Sequence, residues 1–376
     1  MFNLLDLLSP HLRIAVIFGG TRHKEGAVIT PTHNPRSDKT YEAVAADIAA
    51  ALGRCGFAHV ELMPEDMTLG ERLRRFNANF AWLNSGGTQG YASSAHGPSL
   101  LELFGIPYVG HNPLNAAVLD NKHMFKYALQ GLGLPTPRFV VVHFGESIDG
   151  PGVREHFQAV FGDGSGPFVV KPVSGRASLH VHLVEQRKDL SAAVAAVHAA
   201  TENSVLVEAF LSGREYCIGV CGPLVIRGGV PTRQDRPFCF SALERTFEAG
   251  ERIFTSMDVK PISSARFRLL DDGADAEIAR GLVAIGEAIY TAFNLETAVR
   301  LDIRAGTNGN LSVLEANPKP DLKFPKDGQA SLITAGLDRQ AMSYDDLILT
   351  LLANRLDFLV TRRPSGVPNI LRLLNG

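Results

Sequence analysis

Val299-Arg-Leu-Asp-Ile-Arg-Ala-Gly-Thr-Asn-Gly-Asn-Leu-Ser-Val-Leu-Glu-Ala-Asn317 is the stretch on which the fold turns. Two short runs rich in Val, Ile and Leu flank a Gly/Asn cluster, the pattern of a β-hairpin. Side chains alternate faces along a strand. Arg300, Asp302 and Arg304 therefore share one face of the first strand, and Glu315 and Asn317 share one face of the second. If the two faces coincide, two carboxylates and an amide oxygen lie together with an arginine beside them. Such an oxygen-only donor set suits Mg²⁺, which takes one or two carboxylates and completes its shell with waters and substrate phosphates. A solvated hairpin face is the alternative. Leu311, Val313 and Leu314 weigh against it, because they make the second strand apolar on both faces. Glu315 would then be largely buried, and a buried carboxylate needs a partner or a metal.

The surrounding chain has 376 residues, 45% of them hydrophobic, enough for a sizeable core and for two or three domains. Its net charge of −2 and the lack of a long basic run argue against nucleic acid and anionic membrane as partners. The stretch Met1 to Pro10 lacks a basic n-region, and no stretch is apolar for long enough to span a bilayer. Cys55, Cys217, Cys221 and Cys239 follow no metal or disulfide spacing and read as reduced packing residues of a cytoplasmic protein.

Arg13 to Phe18 is a β run ending at Gly19-Gly-Thr21. A helix follows over Tyr41 to Gly53, then a strand at His59 to Met63, a helix at Leu69 to Phe76 and a strand at Phe80 to Asn84. Strands alternating with helices imply a parallel, helix-covered sheet, an α/β fold. Ligands bind such sheets at the carboxyl ends of strands. The loops there, Gly19 to Asp38 and Asn84 to Pro98, carry neither a Gly-x-Gly-x-x-Gly fingerprint nor a Walker A lysine. Beyond Gly110 comes a helical stretch from Asn115 to Gly133, with Asp120 or Asn121 placed to cap the turn that holds Lys122. Strands are expected at Phe139 to Val142, Pro167 to Pro172 and Leu179 to Val184, and a helix at Asp189 to Ala200. Ser204 to Val220 reads as strand, joint and strand. A long loop region is expected from Val230 to Arg268, then a helix over Ile278 to Phe293.

Several charges sit oddly in this scheme. Lys171 closes an apolar strand, and lysine is rarely buried without an anion, although snorkelling to the surface would also place it. Lys122 lies at a helix start, where the dipole prefers anions; a phosphate ligand would remove the conflict. Glu208 and Glu215 bracket the joint between strands. His180 and His182 share a strand face and read as exposed. Arg36, Asp38 and Lys39 form a charge cluster in a loop.

Together these landmarks resemble the ATP-grasp ligases, and within them the D-alanine–D-alanine ligase group. The carrying pieces are Ile14-Ala-Val-Ile17 with Phe18-Gly-Gly-Thr21, Leu101 to Gly110, Asp120-Asn-Lys122 and Val169-Val-Lys-Pro172. Val205 to Glu215, Arg300-Leu-Asp302 and Leu314-Glu-Ala-Asn317 complete them. Their order and spacing, above all Arg-x-Asp followed by Glu-x-Asn, are more specific than any one piece. The resemblance implies an ATP-grasp fold behind an N-terminal parallel α/β domain. Residues 1–113 would form that domain, 114–204 the central lobe and 205–355 the C-terminal lobe with the metal site; 356–376 is a tail of unassigned role. It implies that Lys122 and Lys171 hold ATP phosphates. Glu208, Ala209, Phe210 and Leu211 would form the hinge that reads the adenine amine, and Glu215 would take the ribose hydroxyls. Asp302, Glu315 and Asn317 would ligate Mg²⁺ (or Mn²⁺), and Arg300, with Lys171, would steady the transferring phosphoryl group. Small carboxylate and amine substrates follow, and a homodimer is left open.

The chain also departs from the family. The phosphate-covering loop is Val173-Ser-Gly-Arg-Ala-Ser178, with a single glycine, and Ser174, Gly175 and Ser178 are its expected backbone or hydroxyl donors to phosphate. Lys24 and Glu25 stand where the family has a substrate-binding glutamate. The segment after the metal asparagine is Pro318-Lys-Pro-Asp-Leu-Lys323. The ω-loop lysine is matched only by Arg252 or Lys260. Nucleotide and metal features are thus kept and amino-acid features altered. The expected activity is an ATP-dependent ligase with substrates other than two D-alanines, Lys319, Lys323 and Arg36 favouring a larger or more acidic one. A true D-alanine–D-alanine ligase, an ATP-binding protein without turnover and a structural α/β protein are the alternatives.

Overall fold

Residues 2–20, 41–88, 90, 92–175, 178–253, 266–326, 331–363, 365 and 368 are described in a computed structural model of the chain. The expectations placed on Lys24, Glu25, Arg36, Asp38, Lys39, Arg176 and Lys260 lie outside these residues.

After α1 (Phe2–Leu8), the chain alternates β1 (Arg13–Gly19), α2 (Glu42–Arg54), β2 (His59–Glu65), α3 (Leu69–Phe76), β3 (Phe80–Asn84), α4 (His96–Leu103) and β4 (Tyr108–Val109). The four strands form a parallel sheet in the order β2-β1-β3-β4. Ile14, Val16, Phe80 and Trp82 are buried against helix residues such as Ile48 and Leu52, as near-continuous apolar strands of a covered parallel sheet require.

The expected helix from Asn115 to Gly133 is two helices. In α5 (Pro113–Asp120), Asn112 caps the start and its side chain accepts from the Asn115 N–H. In α6 (Lys122–Gly131), Asn121 does the same for Met124. Asn121 keeps an extended backbone between them, and a capping residue with that geometry cannot be interior to a helix. Lys122 is thereby fixed at a helix start.

The middle lobe comprises β5 (Phe139–Val142), α7 (Pro151–Phe161), β6 (Phe168–Pro172), β7 (His182–Val184), α8 (Leu190–Thr201) and β8 (Val205–Ala209). Its antiparallel sheet runs β5-β8-β6-β7. The strand expected from Leu179 holds only from His182. Ser178 and His180 have positive φ, which breaks the pleat, so His180 and His182 do not share a strand face.

The C-terminal lobe holds β9 (Glu215–Cys221), β10 (Leu224–Arg227), β11 (Val230–Arg233), β12 (Phe238–Cys239), β13 (Leu243–Arg245), β14 (Phe267–Leu269), α9 (Ala276–Ala292), β15 (Val299–Ala305), β16 (Leu311–Asn317) and α10 (Tyr344–Arg362). The described residues of the supposed loop from Val230 to Arg268 thus contain β11, β12, β13 and the start of β14. They are too short to show a period, and pairing forms them: β11 with β10, β12 and β13 with β9, and β14 with β13. The main sheet runs β14-β13-β9-β15-β16 and packs on α9. Gly286 allows the approach, since a Cβ there would stand 2.8 Å from Val220 Cγ2.

Helix α10 passes through the boundary expected at residue 355, and Leu356 is buried within it. Leu347, Ile348, Leu351 and Leu352 join one core with the N-terminal sheet, α2 and β10. A capping box between Ser343 and Asp346 starts the helix. Asn354 works as a substitute strand edge: its Oδ1 accepts from Leu224 N at 2.9 Å and its Nδ2 donates to Leu224 O at 2.7 Å. Replacing Asn354 with Ala leaves both Leu224 groups buried and unpaired, which costs about 1–3 kcal/mol for such groups. Urea unfolding should show a destabilisation of that size. An unchanged midpoint would mean that the amide bonds contribute nothing net.

Candidate active site

The hairpin predicted from the sequence is β15 and β16, and its register explains the doubly apolar second strand. Asp302 pairs with Glu315 and Ile303 with Val313, so Leu314 is an extra residue. Strict alternation from Val313, which is buried against α9, would turn Glu315 and Asn317 into the same core. The bulge shifts the phase by one residue, the re-aiming such bulges perform. Val313 and Ala316 remain in the core, while Leu314, Glu315 and Asn317 face a cavity of about 120 Å³. Arg300, Asp302 and Arg304 face the same cavity from β15.

Oppositely charged pairs fill this face. Arg300 clamps Asp302 through two bonds of 2.9 Å. Burial works against the Asp302 charge, but Arg300 outweighs it and holds the carboxyl below its ordinary pKa. Asn317 Nδ2 and Cys217 Sγ also donate to Asp302, at 3.2 and 3.1 Å. Burial, reinforced by Asp302, pushes the Cys217 thiol well above its usual range, which rules it out as a thiolate nucleophile. Lys122 reaches across from α6 to Glu315 at 3.3 Å and to the Gly175 carbonyl at 3.1 Å. It ties the loop after β6 to the hairpin.

Lys171 is buried, so the snorkelling alternative is excluded. Its Nζ donates to Glu208 Oε1 at 2.5 Å. The other oxygen, Oε2, lies 2.9 Å from Lys126. The three residues are 6%, 2% and 0% exposed, so neither lysine can exchange its partner for bulk water. Burial alone would raise the Glu208 pKa, but the two lysines hold it below the ordinary value. Burial opposes the Lys171 charge as well, and Glu208 and Glu315 overcome it. Lys126 is the exception, because burial dominates and brings it down to about 8. Lys126 was not singled out from the sequence. The available signal was its place four residues after Lys122, on the same helix face.

Glu215 lines the cavity with both oxygens in ion pairs, to Arg245 at 2.9 Å and Arg304 at 3.4 Å. Burial nevertheless raises its pKa against the two arginines. Arg304 also donates to the carbonyls of Gly213 and Arg252 and stacks on Phe210 and Phe247. Arg245, hidden in the supposed loop, was missed. It stands directly across the β13–β9 ladder from Glu215.

Not every expected residue lies on the cavity wall as foreseen. Ala209, Phe210 and Leu211 line it. The backbone N–H groups of Ala209 and Phe210 bond within the lobe, to Arg138 and Pro167. The Glu208 carboxylate is turned to the lysines rather than offered alone to a base. Ser174 is buried beside α8, where its hydroxyl accepts from Asn203 Nδ2 at 2.7 Å; Gly175 and Ser178 reach the cavity instead. Arg252 pairs with Glu185 and stacks on Phe210, away from the hairpin carboxylates.

The donor chemistry suits Mg²⁺. Asp302 and Glu315 are cross-strand neighbours, and Asn317 can add an amide oxygen. Among the described residues no three His, Cys, Asp or Glu side chains cluster for a metal, so the set depends on Asn317 and on oxygens from outside the protein.

Replacing Arg245 with Met should destabilise the protein by about 3 kcal/mol, because Glu215 loses a buried partner. The Glu215 pKa, already raised, rises further. The deficit is then present above the ordinary carboxylate range and vanishes below it, where the group is protonated in both states. The difference in melting temperature from the parent should be larger at about pH 8 than at about pH 4. A pH-independent difference would reduce Arg245 to packing.

The family model described as D-ala D-ala ligase C-terminus matches residues 128–353. The chain is 27% identical over 346 residues to a D-alanine–D-alanine ligase of Halorhodospira halophila, covering 92% of this chain and 96% of that one. It is 31% identical over 230 residues to a D-alanine–D-alanine ligase of Actinobacillus pleuropneumoniae, covering 60% and 67%. Its fold is similar to that of the D-alanine–D-alanine ligase from Bacillus anthracis solved with ATP. The TM-score is 0.65 at 20% identity, over 92% of this chain and 98% of that one. With the family model spanning more than half of the sequence and the fold agreeing along nearly all of it, the chain belongs to the D-alanine–D-alanine ligase family of ATP-grasp ligases, which form carbon–nitrogen bonds with ATP.

Proposed function

We propose that the protein activates a small carboxylate with Mg-ATP and joins it to an amine, and that at least one substrate is not D-alanine. The observation that carries this reading is the single cavity in which Lys122, Lys171 and Arg300 face Asp302, Glu315 and Asn317. The substrate carboxylate attacks the γ-phosphorus, ADP leaves, and an acyl phosphate forms. The amine then attacks the acyl carbon, a proton is lost from nitrogen, and inorganic phosphate departs. Phosphoryl transfer asks mainly for positioning and charge neutralisation. Lys122 and Lys171 hold phosphate oxygens. Arg300 lies where it can steady the transferred group and the later oxyanion, with Asp302 orienting it. Glu215, kept in place by Arg245 and Arg304, takes the ribose hydroxyls. Asp302, Glu315 and Asn317 would hold Mg²⁺ or Mn²⁺, which supplies Lewis-acid neutralisation of phosphate charge. Among the described residues no helix is long and apolar enough to cross a membrane.

The altered segment after Asn317 supports the departure from two D-alanines. Lys319 lies over the Tyr41 ring, 3.5 Å from its centroid. It lines a smaller cavity with Trp82, Asn84, Gly110 and Thr297, beside the carboxyl ends of the parallel strands, where ligands of such sheets bind. A cation at that position favours an acidic or larger substrate. The second reading, ligation of two D-alanines, is favoured by the activity named for the relatives.

ADP release from Mg-ATP across D- and L-amino acids, singly and in pairs, tests both. Release with a neutral–acidic or larger pair supports the proposal. Release with D-alanine alone establishes the second reading, and silence across the panel removes both. In the active pair, Glu315→Gln should lower metal-dependent turnover by about 100-fold or more while the melting curve stays cooperative. Undiminished turnover would remove the metal assignment.

A further inference from the structure

We infer that Lys126 is a positioning residue that releases Lys171 to the nucleotide phosphates by taking over the charge of Glu208. The inference rests on the nucleotide reading above and adds a residue that touches no substrate.

Glu208 carries one negative charge and two buried lysines share it, Lys171 at 2.5 Å on Oε1 and Lys126 at 2.9 Å on Oε2. The group of three therefore has a net charge of +1. Lys171 lines the cavity with Lys122 and Arg300, whereas Lys126 does not reach it. A phosphate oxygen can claim Lys171 only if Glu208 can bear the loss, since an unpaired buried carboxylate is strongly unfavourable. Lys126 meets that condition because it remains on the other oxygen when Lys171 turns away. Without it, Lys171 and Glu208 form a neutral, self-satisfied pair, and the cavity loses one unit of positive charge.

The geometry holds Lys126 in this role. Its Nζ donates to Thr136 Oγ1 at 2.7 Å, and Thr136 donates to the Val313 carbonyl at 2.9 Å. Val313 is the residue before the bulge that presents Glu315. The Phe139 ring lies 5.7 Å from Nζ. Lys126 is thus fixed from α6, from the joint before β5 and from β16, and is not free to follow Lys171. The charged groups acting on it are Glu208, Lys171 and Glu315. Its pKa of about 8 makes the device titratable: above that pH Lys126 becomes neutral and Glu208 retains Lys171.

The test compares ADP with adenosine by titration calorimetry, because only ADP carries the phosphates that Lys171 would meet. Lys126→Met should weaken ADP about tenfold or more and leave adenosine within about twofold. Adding Glu208→Gln removes the competing charge, so the double variant should recover most of the ADP-over-adenosine preference. A structural role for Lys126 predicts no recovery. Recovery absent in the double variant, or a parallel loss of ADP and adenosine in Lys126→Met, overturns the inference. If the variants do not fold, the parent protein decides: its ADP-over-adenosine preference should fall as pH rises through about 8, and a flat preference overturns the inference. A parent protein that binds neither ligand overturns the nucleotide reading itself, an outcome distinct from the others.

Discussion

A carboxylate removed from water must find its countercharge nearby, and this chain meets that constraint with side chains from every part of the cleft. Glu208 takes lysines from α6 and β6, Asp302 an arginine on its own strand and Glu215 arginines from β13 and β15, while Glu315, only half-buried rather than largely buried, takes a lysine from α6. All but the Arg300–Asp302 pair join segments distant in sequence, so the electrostatics of the site also fix the relative placement of helix α6, the middle sheet and the hairpin. Removing one partner of a buried pair costs more than the pair contributes net. The cavity is therefore held open by charges that have nowhere else to go.

The same constraint explains what could be read in advance. Arg-x-Asp and Glu-x-Asn are legible because strand alternation puts alternate residues on one face. The alternating strands and helices before Gly110 are legible because a parallel sheet demands that order. Lys126 is not, since a lysine in a helical stretch normally snorkels to water, and only the placement of Glu208 above it makes the difference. Arg245 is not, because three residues carry no period and β13 exists through its pairing with β9. The bulge at Leu314 shows the subtler failure. Placing Glu315 and Asn317 on one face was right, but strict alternation would also have put Val313 there. One additional residue, visible only in the ladder, separates the core-facing from the cavity-facing positions.

Family membership and local chemistry constrain different things here. The fold follows that of the D-alanine–D-alanine ligases, while Lys319 and Lys323 give the segment after Asn317 a basic character of its own. In the proposed reading, phosphate and metal meet side chains locked into buried ion pairs, whose loss is costly. Acyl donor and amine would meet segments at the strand ends, where side chains can change without disturbing the paired charges beneath.

Helix α10 has a consequence for motion. It belongs to the core of the N-terminal sheet and also packs against β10, so the first domain and the C-terminal lobe are welded through one apolar mass. The middle lobe has a core of its own, built among the described residues from Val140 to Ala209. The first domain and the C-terminal lobe thus share a core that the middle lobe does not enter. Swinging the middle lobe leaves both cores intact, whereas lifting the parallel sheet would tear one open. Lys171 and Glu208 lie on the middle sheet, and Asp302 and Glu315 face them from the C-terminal one.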